Sequence, residues 1–303
     1  MTSFLRLCGR NFTTLSRNAA DMSFSRLIRF ETEDRETKFA DLGPWEAPLP
    51  TKGTQVHAFP SLDELSLSKN GAKSTFAKLL APVPLDGVPI YCVGLNYRSH
   101  AKEAGLKIPA APPLWTKPAT SLANPDEDIP MNKFCASTLP DYEAELVFIT
   151  SRTCKDITPE QASDYILGYT VGNDLSCRLH QLPDQAGGQF FFAKAFDKFA
   201  PIGPVLVSPK IFETIDNPTL IMRVNGEVRQ NTLIQGGDMI FSPEQVLSRM
   251  SQGTTIPAGT AVMTGTPAGV GAFMKPKSFL NNGDVVEVEV TGVGVLKNKI
   301  VFD

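Results

Sequence analysis

Two glutamates two positions apart, Glu143 and Glu145, are the residues of this sequence best placed to do chemistry. They open the segment EAELVFI, whose apolar and β-branched residues predict a strand. Because alternate side chains of a strand share a face, both carboxylates would head an apolar surface formed by Val147 and Ile149. Buried carboxylates repel one another, and a divalent cation would relieve that repulsion. Oxygen ligands favour Mg²⁺, with Mn²⁺ or Ca²⁺ as alternatives, whereas a solvated strand face needs no metal at all.

Two further segments place polar groups at the ends of predicted strands. Asp174 follows LGYTVGN and adds a third carboxylate, although an Asn-Asp-Leu-Ser turn held by local hydrogen bonds is the alternative. The glycine-rich run at residues 264–271 lacks the Lys-Ser/Thr of a phosphate-binding loop and the helix of a dinucleotide fingerprint. Its backbone N–H groups could hold a carboxylate, or the run could be a plain loop.

A histidine and a glutamate three positions apart form the remaining candidate pair. If Ser99 caps a short helix that ends at Gly105, His100 and Glu103 lie on one face of it. A carboxylate beside an imidazole fixes its tautomer and raises its basicity, as a water-activating pair requires. The alternative interpretation is an exposed ion pair.

Short strands separated by turn residues dominate the chain after Pro89. Strands are predicted in IYCVGLNY, AELVFIT, LGYTVGND, PIGPVLVS, TLIMRVNG, GTAVMTG, DVVEVEVTG and GVLKNKIVF. Asn225-Gly226 predicts a hairpin turn, and an antiparallel pair is expected around residues 292–294. Only TPEQASDYIL and SPEQVLSRM have a helical pattern, each opening with a cap residue and a proline. This pattern predicts a β-rich fold, a roll or barrel, and not a doubly wound sheet.

The chain divides into segments of different composition. Residues 22–81 are predicted to form a small N-terminal unit that opens with the strand-like SRLIRF near Met22. Residues 82–89 carry spaced prolines, which are typical of a rigid linker. The remaining residues, 90–303, form the predicted main domain.

The N-terminal segment, residues 1–21, has a composition of its own. It contains Arg6, Arg10 and Arg17, several hydroxyl residues, and no acid before Asp21. This composition is typical of a mitochondrial presequence, and a disordered tail is the equal alternative. The predicted location is therefore mitochondrial or cytoplasmic.

The overall composition argues against several classes of partner. The formal net charge is −3 and no basic run is interleaved with aromatic residues, so no nucleic-acid partner is expected. Apolar stretches stop well short of the ~20 residues of a membrane span. The five cysteines are scattered without a CxxC, and Cys177 to His180 forms a lone CxxH, so reduced thiols are expected and not a zinc or dithiol site.

The order of these motifs resembles that of the fumarylacetoacetate hydrolase family over residues 90–303. The matching segments are VGLNYRSHAKEAG, TKP, DYEAEL, GYTVGNDLS with Arg178 and Gln181 after it, KAFDKFAPIGP, VNGEVRQ, TGTPAGVG and GDVVEVEVTGVGVLKNKI. Few proteins would carry all of them by chance. The resemblance therefore favours the functional interpretation of each motif over its local alternative.

The resemblance implies a β-rich α+β fold: a mixed β-roll or barrel catalytic domain with a small N-terminal α/β unit, usually a homodimer. It implies metal ligation by Glu143, Glu145 and Asp174, and an acid/base pair, His100 and Glu103, on a mobile lid. It also implies a catalytic role for Lys194. Substrate-contacting or water-orienting roles are implied for Lys117, Arg178, Gln181 and Thr266.

The family's small intracellular members include acylpyruvases, oxaloacetate decarboxylases and oxaloacetate tautomerases. The function that the resemblance implies is cleavage of a C–C bond in a small 2-oxo acid through a metal-stabilised enolate. Keto–enol tautomerisation of oxaloacetate is the alternative, and a non-catalytic protein of the same fold is an alternative from another class. The chain departs from the family at Leu179, where an acid is common, and at residues 189–192 (QFFF), where tryptophan often occurs. Both departures leave the identity of the substrate open.

Overall fold

The computed structural model describes residues 24–43, 47–67, 70–83 and 87–303. The predicted presequence or tail, the predicted start of the fold at Met22 and the centre of the predicted linker lie outside these residues. In the described part, no helix is both long enough and apolar enough to cross a membrane.

Strands outnumber helices in the described residues. The strands are β1 (Arg26–Thr32), β2 (Thr37–Asp41), β3 (Gln55–Ala58), β4 (Ala72–Leu80), β5 (Ile90–Val93), β6 (Leu114–Lys117), β7 (Leu122–Ala123), β8 (Ile129–Met131), β9 (Pro140–Asp141), β10 (Ala144–Thr150), β11 (Ile166–Asn173), β12 (Ser176–Cys177), β13 (Ala200–Val207), β14 (Thr219–Val224), β15 (Glu227–Leu233), β16 (Ala261–Met263), β17 (Val285–Val290) and β18 (Gly294–Phe302). The α-helices are α1 (Leu62–Leu67), α2 (Arg98–Ala104), α3 (Lys133–Ala136), α4 (Pro159–Ala162), α5 (Pro183–Ala186), α6 (Phe191–Lys194), α7 (Pro209–Phe212) and α8 (Pro243–Ser251). Single 3₁₀ turns occupy Ala119–Ser121, Ser163–Tyr165, Arg178–Gln181 and Gly271–Phe273.

The strands form two main sheets, and one hydrophobic cluster contains residues from both of them. An 11-stranded sheet has the order β3-β4-β1-β13-β11-β10-β16-β5-β6, with β2 paired to β1 and β7 paired to β13. A 5-stranded sheet has the order β15-β14-β17-β18-β8, and β9 pairs with β12 alone. Most pairs are antiparallel, while β16–β5, β13–β7 and β18–β8 are parallel. The predicted β-rich α+β fold is confirmed.

Strands β10 and β11 lie at the centre of the large sheet and are buried along their whole length. Alternate residues of β10 enter different core clusters: Leu146 and Phe148 pack in one, Val147 and Ile149 in the other. A strand covered on both faces must be apolar at nearly every position, which explains the uninterrupted sequence LVFI.

The register of β10 against β11 brings the predicted acidic residues together. Glu145 lies opposite Gly172 in this antiparallel pair, and the backbone N–H of Asp174 donates to the carbonyl oxygen of Glu143 at 2.9 Å. A Cβ at Gly172 would lie 2.8 Å from Cγ2 of Val147, so the close packing beneath the site requires glycine there.

The N-terminal strands continue the large sheet. Strand β1 pairs with β13, with Arg26 opposite Val207, and its other neighbours are β2 and β4. The segments before and after the predicted linker are thus joined by backbone hydrogen bonds. The division into a unit at 22–81, a linker at 82–89 and a domain at 90–303 stays a prediction.

The helix predicted over TPEQASDYIL is shorter than expected. Helix α4 ends at Ala162, and Ile166 already begins β11, where it is buried opposite Thr150. Pairing within the sheet overrides the local helical pattern at these last residues. The second predicted helix is confirmed as α8, which begins after Ser242 with a capping box. The other helices are one or two turns long and therefore carry little apolar periodicity in the sequence.

The predicted hairpin at Asn225-Gly226 is confirmed between β14 and β15. Asn225 and Gly226 have φ values of 52° and 81°, as the tight two-residue turn of a hairpin requires. The Asn225 side chain also donates to Asp284 at 2.8 Å and accepts from the N–H of Val285 at 2.9 Å. The predicted antiparallel pair around residues 292–294 is confirmed as β17 and β18.

Replacing Gly226 by alanine tests how much this turn contributes to stability. No atom lies within 4 Å of the position a Cβ would take, so the cost comes from the left-handed backbone alone. We expect Gly226→Ala to lower the free energy of unfolding by about 1 kcal/mol, measured by urea titration. Glu227→Ala is the control, because its exposed ion pair with Arg229 contributes little. Equal midpoints for Gly226→Ala and the unmodified chain would contradict the assignment.

Candidate active site

Three buried carboxylates converge at one end of β10 and β11. Oxygen atoms of Glu143, Glu145 and Asp174 all lie within 4.8 Å of one another. Glu145 and Asp174 are 0% exposed and Glu143 is 6% exposed. The solvated strand face that a Glu-x-Glu pattern also allows is therefore wrong for this chain.

Glu143 and Asp174 each contact a cationic side chain, whereas Glu145 contacts none among the described residues. Its Oε2 accepts a hydrogen bond from the N–H of Gly265 at 2.7 Å, and its Oε1 has no partner among the described residues although it is buried. Burial raises the pKa of Glu145 well above the ordinary value, and the neighbouring Asp174 and Glu143 raise it further. This buried oxygen without a donor is a position at which a bound cation could serve as the partner.

Lys194 links the other two carboxylates. Its Nζ donates to Glu143 Oε2 and Asp174 Oδ2, each at 2.8 Å, and to Ser176 Oγ at 2.7 Å. Burial alone would raise the pKa of Glu143, but Lys194 and then Arg178 outweigh it and lower that pKa to about 2. Burial would likewise lower the pKa of Lys194, but Asp174 and Glu143 reverse the direction and raise it. Glu143 and Lys194 are therefore both charged at neutral pH.

Lys117 lies behind Asp174 and is 0% exposed. Its Nζ is 2.5 Å from Asp174 Oδ1, a charge contact whose angles do not make it a hydrogen bond. The same nitrogen donates to the carbonyl oxygens of Leu175 at 3.2 Å and Phe199 at 2.5 Å. The structure thus places Lys117 in contact with a predicted metal ligand and with backbone, deep in the protein.

Arg178 joins the acidic cluster to a fourth carboxylate. Its Nε donates to Asp141 Oδ2 at 2.8 Å, and its Nη1 lies 2.6 Å from Glu143 Oε1 and 2.9 Å from Gln181 Oε1. Its Nη2 is buried and has no partner among the described residues. Asp141 also accepts from the N–H groups of residues 271 and 272 at 2.8 and 2.9 Å, which holds the glycine-rich loop to the site.

Thr266 and Gln230 form hydrogen bonds with the backbone of Ala144, the residue between the two glutamates. The N–H of Ala144 donates to Gln230 Oε1 at 2.9 Å, and Thr266 Oγ1 donates to the carbonyl oxygen of Ala144 at 2.9 Å. Gln230 Nε2 in turn donates to Thr266 Oγ1 at 2.8 Å. Strand β16 pairs with β10 only from Val147 onward, so it leaves the backbone groups of Ala144 unpaired on that side. The side chains of Gln230 and Thr266 form the hydrogen bonds that a neighbouring strand would otherwise form.

The predicted pair of His100 and Glu103 is present on helix α2. His100 Nδ1 lies 2.7 Å from Glu103 Oε1, and Glu103 Oε2 accepts from the N–H of Gly269 at 3.0 Å. The imidazole is close enough to the acidic cluster to contribute to the low pKa of Glu143. An exposed ion pair is therefore wrong, since His100 is 9% exposed.

The predicted cap of this helix is wrong, although its end is confirmed. Helix α2 begins at Arg98, one residue before the expected cap, and Ser99 Oγ donates instead to Asp238 Oδ2 at 2.6 Å. The N–H of Ser99 also donates to Asp238, at 2.8 Å. Gly105 ends the helix with φ 65°, as predicted. Asp238, which is distant in the chain, accepts the hydrogen bonds at the start of α2. No local sequence pattern predicts this contact.

Aromatic rings line the approach to Lys194. The ring of Trp115 lies 5.4 Å from Lys194 Nζ, and its centroid is 5.6 Å from that of Phe190. A tryptophan from β6, Trp115, therefore contacts the segment 189–192, which contains no tryptophan itself. Phe191 and Phe192 beside it are 49% and 57% exposed.

The structure brings every predicted site residue into this region. Their roles remain predictions. Sequence reasoning missed Asp141, Gln230 and Trp115. Asp141 had a signal, because it precedes the two glutamates at the same two-residue spacing. Gln230 and Trp115 reach the site from distant strands, and no local pattern marks them.

The charges of the cluster fit a divalent cation. Four carboxylates face three cationic side chains, which leaves one negative charge in excess when all are ionised; the groups are Asp141, Glu143, Glu145, Asp174, Lys117, Arg178 and Lys194. Carboxylate oxygens are the ligands that hard cations such as Mg²⁺ prefer. The fold and this site define a β-rich protein with a buried carboxylate cluster suited to a divalent metal.

Comparisons with known proteins identify the family. The family model for the fumarylacetoacetate (FAA) hydrolase C-terminal region matches residues 89–301. The chain is 32% identical to the mitochondrial oxaloacetate tautomerase fahd2 of Xenopus laevis, over 91% of this chain and 90% of that protein. The chain belongs to the fumarylacetoacetate hydrolase family and is an enzyme of that family, a hydrolase or an isomerase.

Two further similarities concern a bacterial enzyme and a crystal structure. Oxaloacetate tautomerase YisK of Bacillus subtilis is 36% identical over 74% of this chain and 73% of its own length. The crystal structure of 2-hydroxyhepta-2,4-diene-1,7-dioate isomerase from Mycobacterium marinum matches with a TM-score of 0.73 and 30% identity. It covers 92% of this chain and 99% of that one. These findings confirm the predicted family and contradict a non-catalytic protein of the same fold.

Replacing Glu145 by glutamine tests the carboxylate cluster as a metal site. A neutral amide cannot offset the charge of a cation, so we expect Mg²⁺ affinity to fall by at least about tenfold in isothermal titration calorimetry. Thermal stability without metal should be nearly unchanged, because the amide is neutral and similar in shape to the carboxyl group. Glu160→Gln, at an exposed helix start, is the matched control. Unchanged Mg²⁺ binding in Glu145→Gln would remove this cluster from the metal site.

Proposed function

We propose that this chain is a divalent-metal-dependent tautomerase of oxaloacetate or a closely similar 2-oxo diacid. The observation that carries the proposal is a pair of buried atoms without hydrogen-bond partners, one an acceptor and the other a donor. Glu145 Oε1 lacks a donor and Arg178 Nη2 lacks an acceptor among the described residues. The first fits a cation and the second fits a carboxylate, and both residues adjoin Glu143.

The proposed metal ligands are Glu143, Glu145 and Asp174. Mg²⁺ is the proposed ion, with Mn²⁺ and Ca²⁺ as alternatives of the same ligand preference. When bound, the ion would draw electron density from the 2-oxo group of the substrate and so acidify the protons on C3. Lys194 and Lys117 would keep Glu143 and Asp174 ionised and in place.

Arg178 is the proposed contact for a substrate carboxylate. Two of its nitrogens are held by Asp141, Glu143 and Gln181, which fixes the plane of the guanidinium group. The third nitrogen, Nη2, has a fixed direction because the contacts of Nε and Nη1 hold the planar group. It can therefore donate to a substrate carboxylate without a change in the side-chain conformation. Gln181 is proposed to orient the substrate, and Thr266 to keep the backbone between the glutamates in register.

His100 is the proposed general acid/base. In the tautomer that donates from Nδ1 to Glu103, the imidazole keeps a lone pair on Nε2. In the keto-to-enol direction, Nε2 would take a proton from C3 and would then return that proton to the 2-oxo oxygen. The reverse direction uses the same positions. Because tautomerisation only relocates a proton, one positioned base beside the metal site is sufficient.

C–C bond cleavage of an acylpyruvate, or decarboxylation of oxaloacetate, is the second candidate. The same pair of His100 and Glu103 could activate a water molecule for attack on the distal carbonyl group. We rank it second because the Xenopus and Bacillus relatives are described as oxaloacetate tautomerases and the Mycobacterium marinum structure is described as an isomerase. Phe190, Trp115 and Leu179 are the positions where the substrate preference would be decided.

Turnover of three substrates separates these candidates. Oxaloacetate, acetylpyruvate and fumarylpyruvate would each be supplied with Mg²⁺, and then with excess chelator. A tautomerase accelerates the decay of enol-oxaloacetate without producing pyruvate or a second acid. Formation of cleavage products from acetylpyruvate or fumarylpyruvate would favour the hydrolase, and pyruvate formed from oxaloacetate would favour the decarboxylase. Full activity in chelator would refute the metal-dependent proposal.

A homodimer and a mitochondrial location are part of the proposal. Large apolar side chains left exposed on the surface, such as Leu106 and Phe192, favour burial against a second copy. The arginine-rich, acid-poor residues 1–21 and the description of the Xenopus relative as mitochondrial favour import. A cytoplasmic enzyme is the alternative.

Removing the imidazole separates chemistry from binding. His100→Ala should lower turnover by roughly 10²–10⁴-fold, the usual contribution of a positioned acid/base group. Mg²⁺ and oxalate binding should stay within about threefold, because the metal ligands lie on the sheet and not on α2. His57→Ala, on the exposed face of β3, is the matched control. Normal turnover of every accepted substrate by His100→Ala would refute the assignment.

Deleting residues 1–20 tests the location. A fluorescent fusion of the full chain should enter mitochondria, whereas the fusion without these residues should stay in the cytosol. Replacing Arg6, Arg10 and Arg17 by glutamine is the matched variant, because it keeps the length and removes the charge. The same distribution for all three fusions would show that the segment is only a tail.

A further inference from the structure

Helix α2 carries His100 and Glu103 but has no capping side chain at its own N-terminus. Tyr97 occupies the cap position and makes no side-chain hydrogen bond there. The helix has only 7 residues, and isolated helices shorter than about 12–15 residues are marginal in water. The first N–H groups of any helix also lack partners within it. Contacts from elsewhere in the chain must therefore hold the start of α2 in helical form.

Asp238 supplies these contacts. The N–H of Arg98 donates to the backbone carbonyl oxygen of Asp238 at 2.9 Å, and the N–H of Ser99 donates to its Oδ1 at 2.8 Å. The Ser99 hydroxyl donates to Oδ2 at 2.6 Å. A negative charge at this position also interacts favourably with the dipole of the helix. Asp238 thus does the work of a cap residue, although 139 positions separate it from Ser99.

The surroundings of Asp238 fix its position independently of α2. Thr232 Oγ1, in β15, donates to Asp238 Oδ2 at 3.3 Å. The N–H groups of Ile240 and Phe241 donate to the backbone and side-chain oxygens of Asn96 at 2.8 and 2.7 Å. The contacts of Asn96 do not use the carboxylate of Asp238. Removal of that carboxylate should therefore loosen α2 without unfolding the segments on either side of it.

The other anchor of α2 is the glycine-rich loop. The N–H of Gly269 donates to Glu103 Oε2 at 3.0 Å, and the N–H of Ala268 donates to Ser99 Oγ at 3.2 Å. Glu103 Oε1 lies 2.7 Å from His100 Nδ1. Residues three apart meet on one face only while the helical turn is formed. The orientation of the imidazole therefore depends on both anchors of the helix.

We propose that Asp238 is a positioning residue, which holds the start of α2 in place and thereby orients His100 and Glu103 for proton transfer. The inference rests on the proposed function, because it takes His100 as the acid/base group. The side chain of Asp238 hydrogen-bonds to Ser99 and Thr232 and, among the described residues, to none of the proposed metal ligands. Its influence on the reaction is therefore exerted through α2.

The kinetic test uses the full chain with Mg²⁺ and oxaloacetate. Asp238→Ala should lower kcat by roughly 10- to 100-fold, since a misplacement of about 1 Å can cost on the order of 100-fold. KM, and Mg²⁺ affinity in isothermal titration calorimetry, should stay within about threefold, because Arg178 and the proposed metal ligands lie on other elements. Asp238→Asn keeps an oxygen that can accept from the N–H of Ser99, so it should recover part of the lost kcat.

A double-mutant cycle separates positioning from a general loss of stability. If Asp238 acts through the imidazole, Asp238→Ala should lower kcat by less than about twofold further when His100 is already alanine. A residue that only stabilises the fold would lower kcat by the same factor in both backgrounds. Equal factors would therefore overturn the inference.

Hydrogen exchange measured by mass spectrometry tests the anchor without any substrate. Asp238→Ala should accelerate exchange of the amides of residues 98–105 several-fold and leave β10 and β11 unchanged. Asp41→Ala is the matched control, because Asp41 also accepts from backbone N–H groups, those of Ser25, Arg26 and Gly43. It should lower stability and leave both kcat and the exchange of α2 unchanged.

The two measurements distinguish this inference from the proposed function. A chain that turned over none of the substrates would refute the proposed function. Unchanged exchange of α2 in Asp238→Ala, or an unchanged kcat in an otherwise active enzyme, would refute the role of Asp238 alone.

Discussion

The site buries more carboxylate groups than cationic side chains, and the rest of its arrangement depends on this excess of negative charge. Four buried acidic groups face three cationic side chains, and the imbalance is concentrated at Glu145. Its Oε2 is held by a backbone N–H, its Oε1 has no donor, and its pKa is raised by burial and by the neighbouring acids. Such an arrangement is unfavourable for an apo protein and favourable for a metal-loaded one. The same feature that costs stability would therefore create affinity for a cation.

The large sheet makes this concentration of charge tolerable by fixing every other partner. Strands β10 and β11 are buried on both faces, so the packing around them restricts movement of the ends that carry the acids. Where β10 is not paired with β16, Gln230 and Thr266 complete its backbone hydrogen bonds on that side. The glycine-rich loop adds N–H donors to Glu145, Asp141 and Glu103. A site so constrained is preorganised, which is how electrostatic catalysis avoids reorganisation during the reaction.

One segment, residues 174–194, carries most of the groups that would distinguish one reaction from another. It begins with a proposed metal ligand, Asp174, continues through Cys177 and Arg178, and ends at Lys194. Its middle is a series of single helical turns with exposed aromatic side chains, whereas its two ends are buried. The carboxylate cluster, if it holds the proposed metal, could serve tautomerisation, hydrolysis or decarboxylation, because each begins at the same activated carbonyl group.

The sequence by itself determined the β-rich fold, the hairpin at Asn225-Gly226 and the family, because alternation, turn chemistry and motif order are local properties. It also pointed to Glu143 and Glu145, since two-residue spacing on a strand fixes a shared face. Only the tertiary structure decided that these acids are buried, that α4 ends where β11 begins, and that Asp238 holds the start of α2 instead of a cap at Ser99. Those outcomes depend on strand pairing and on contacts between residues far apart in the chain. No local pattern records such contacts, so the burial of the acids and the buried polar atoms without partners became visible only in three dimensions.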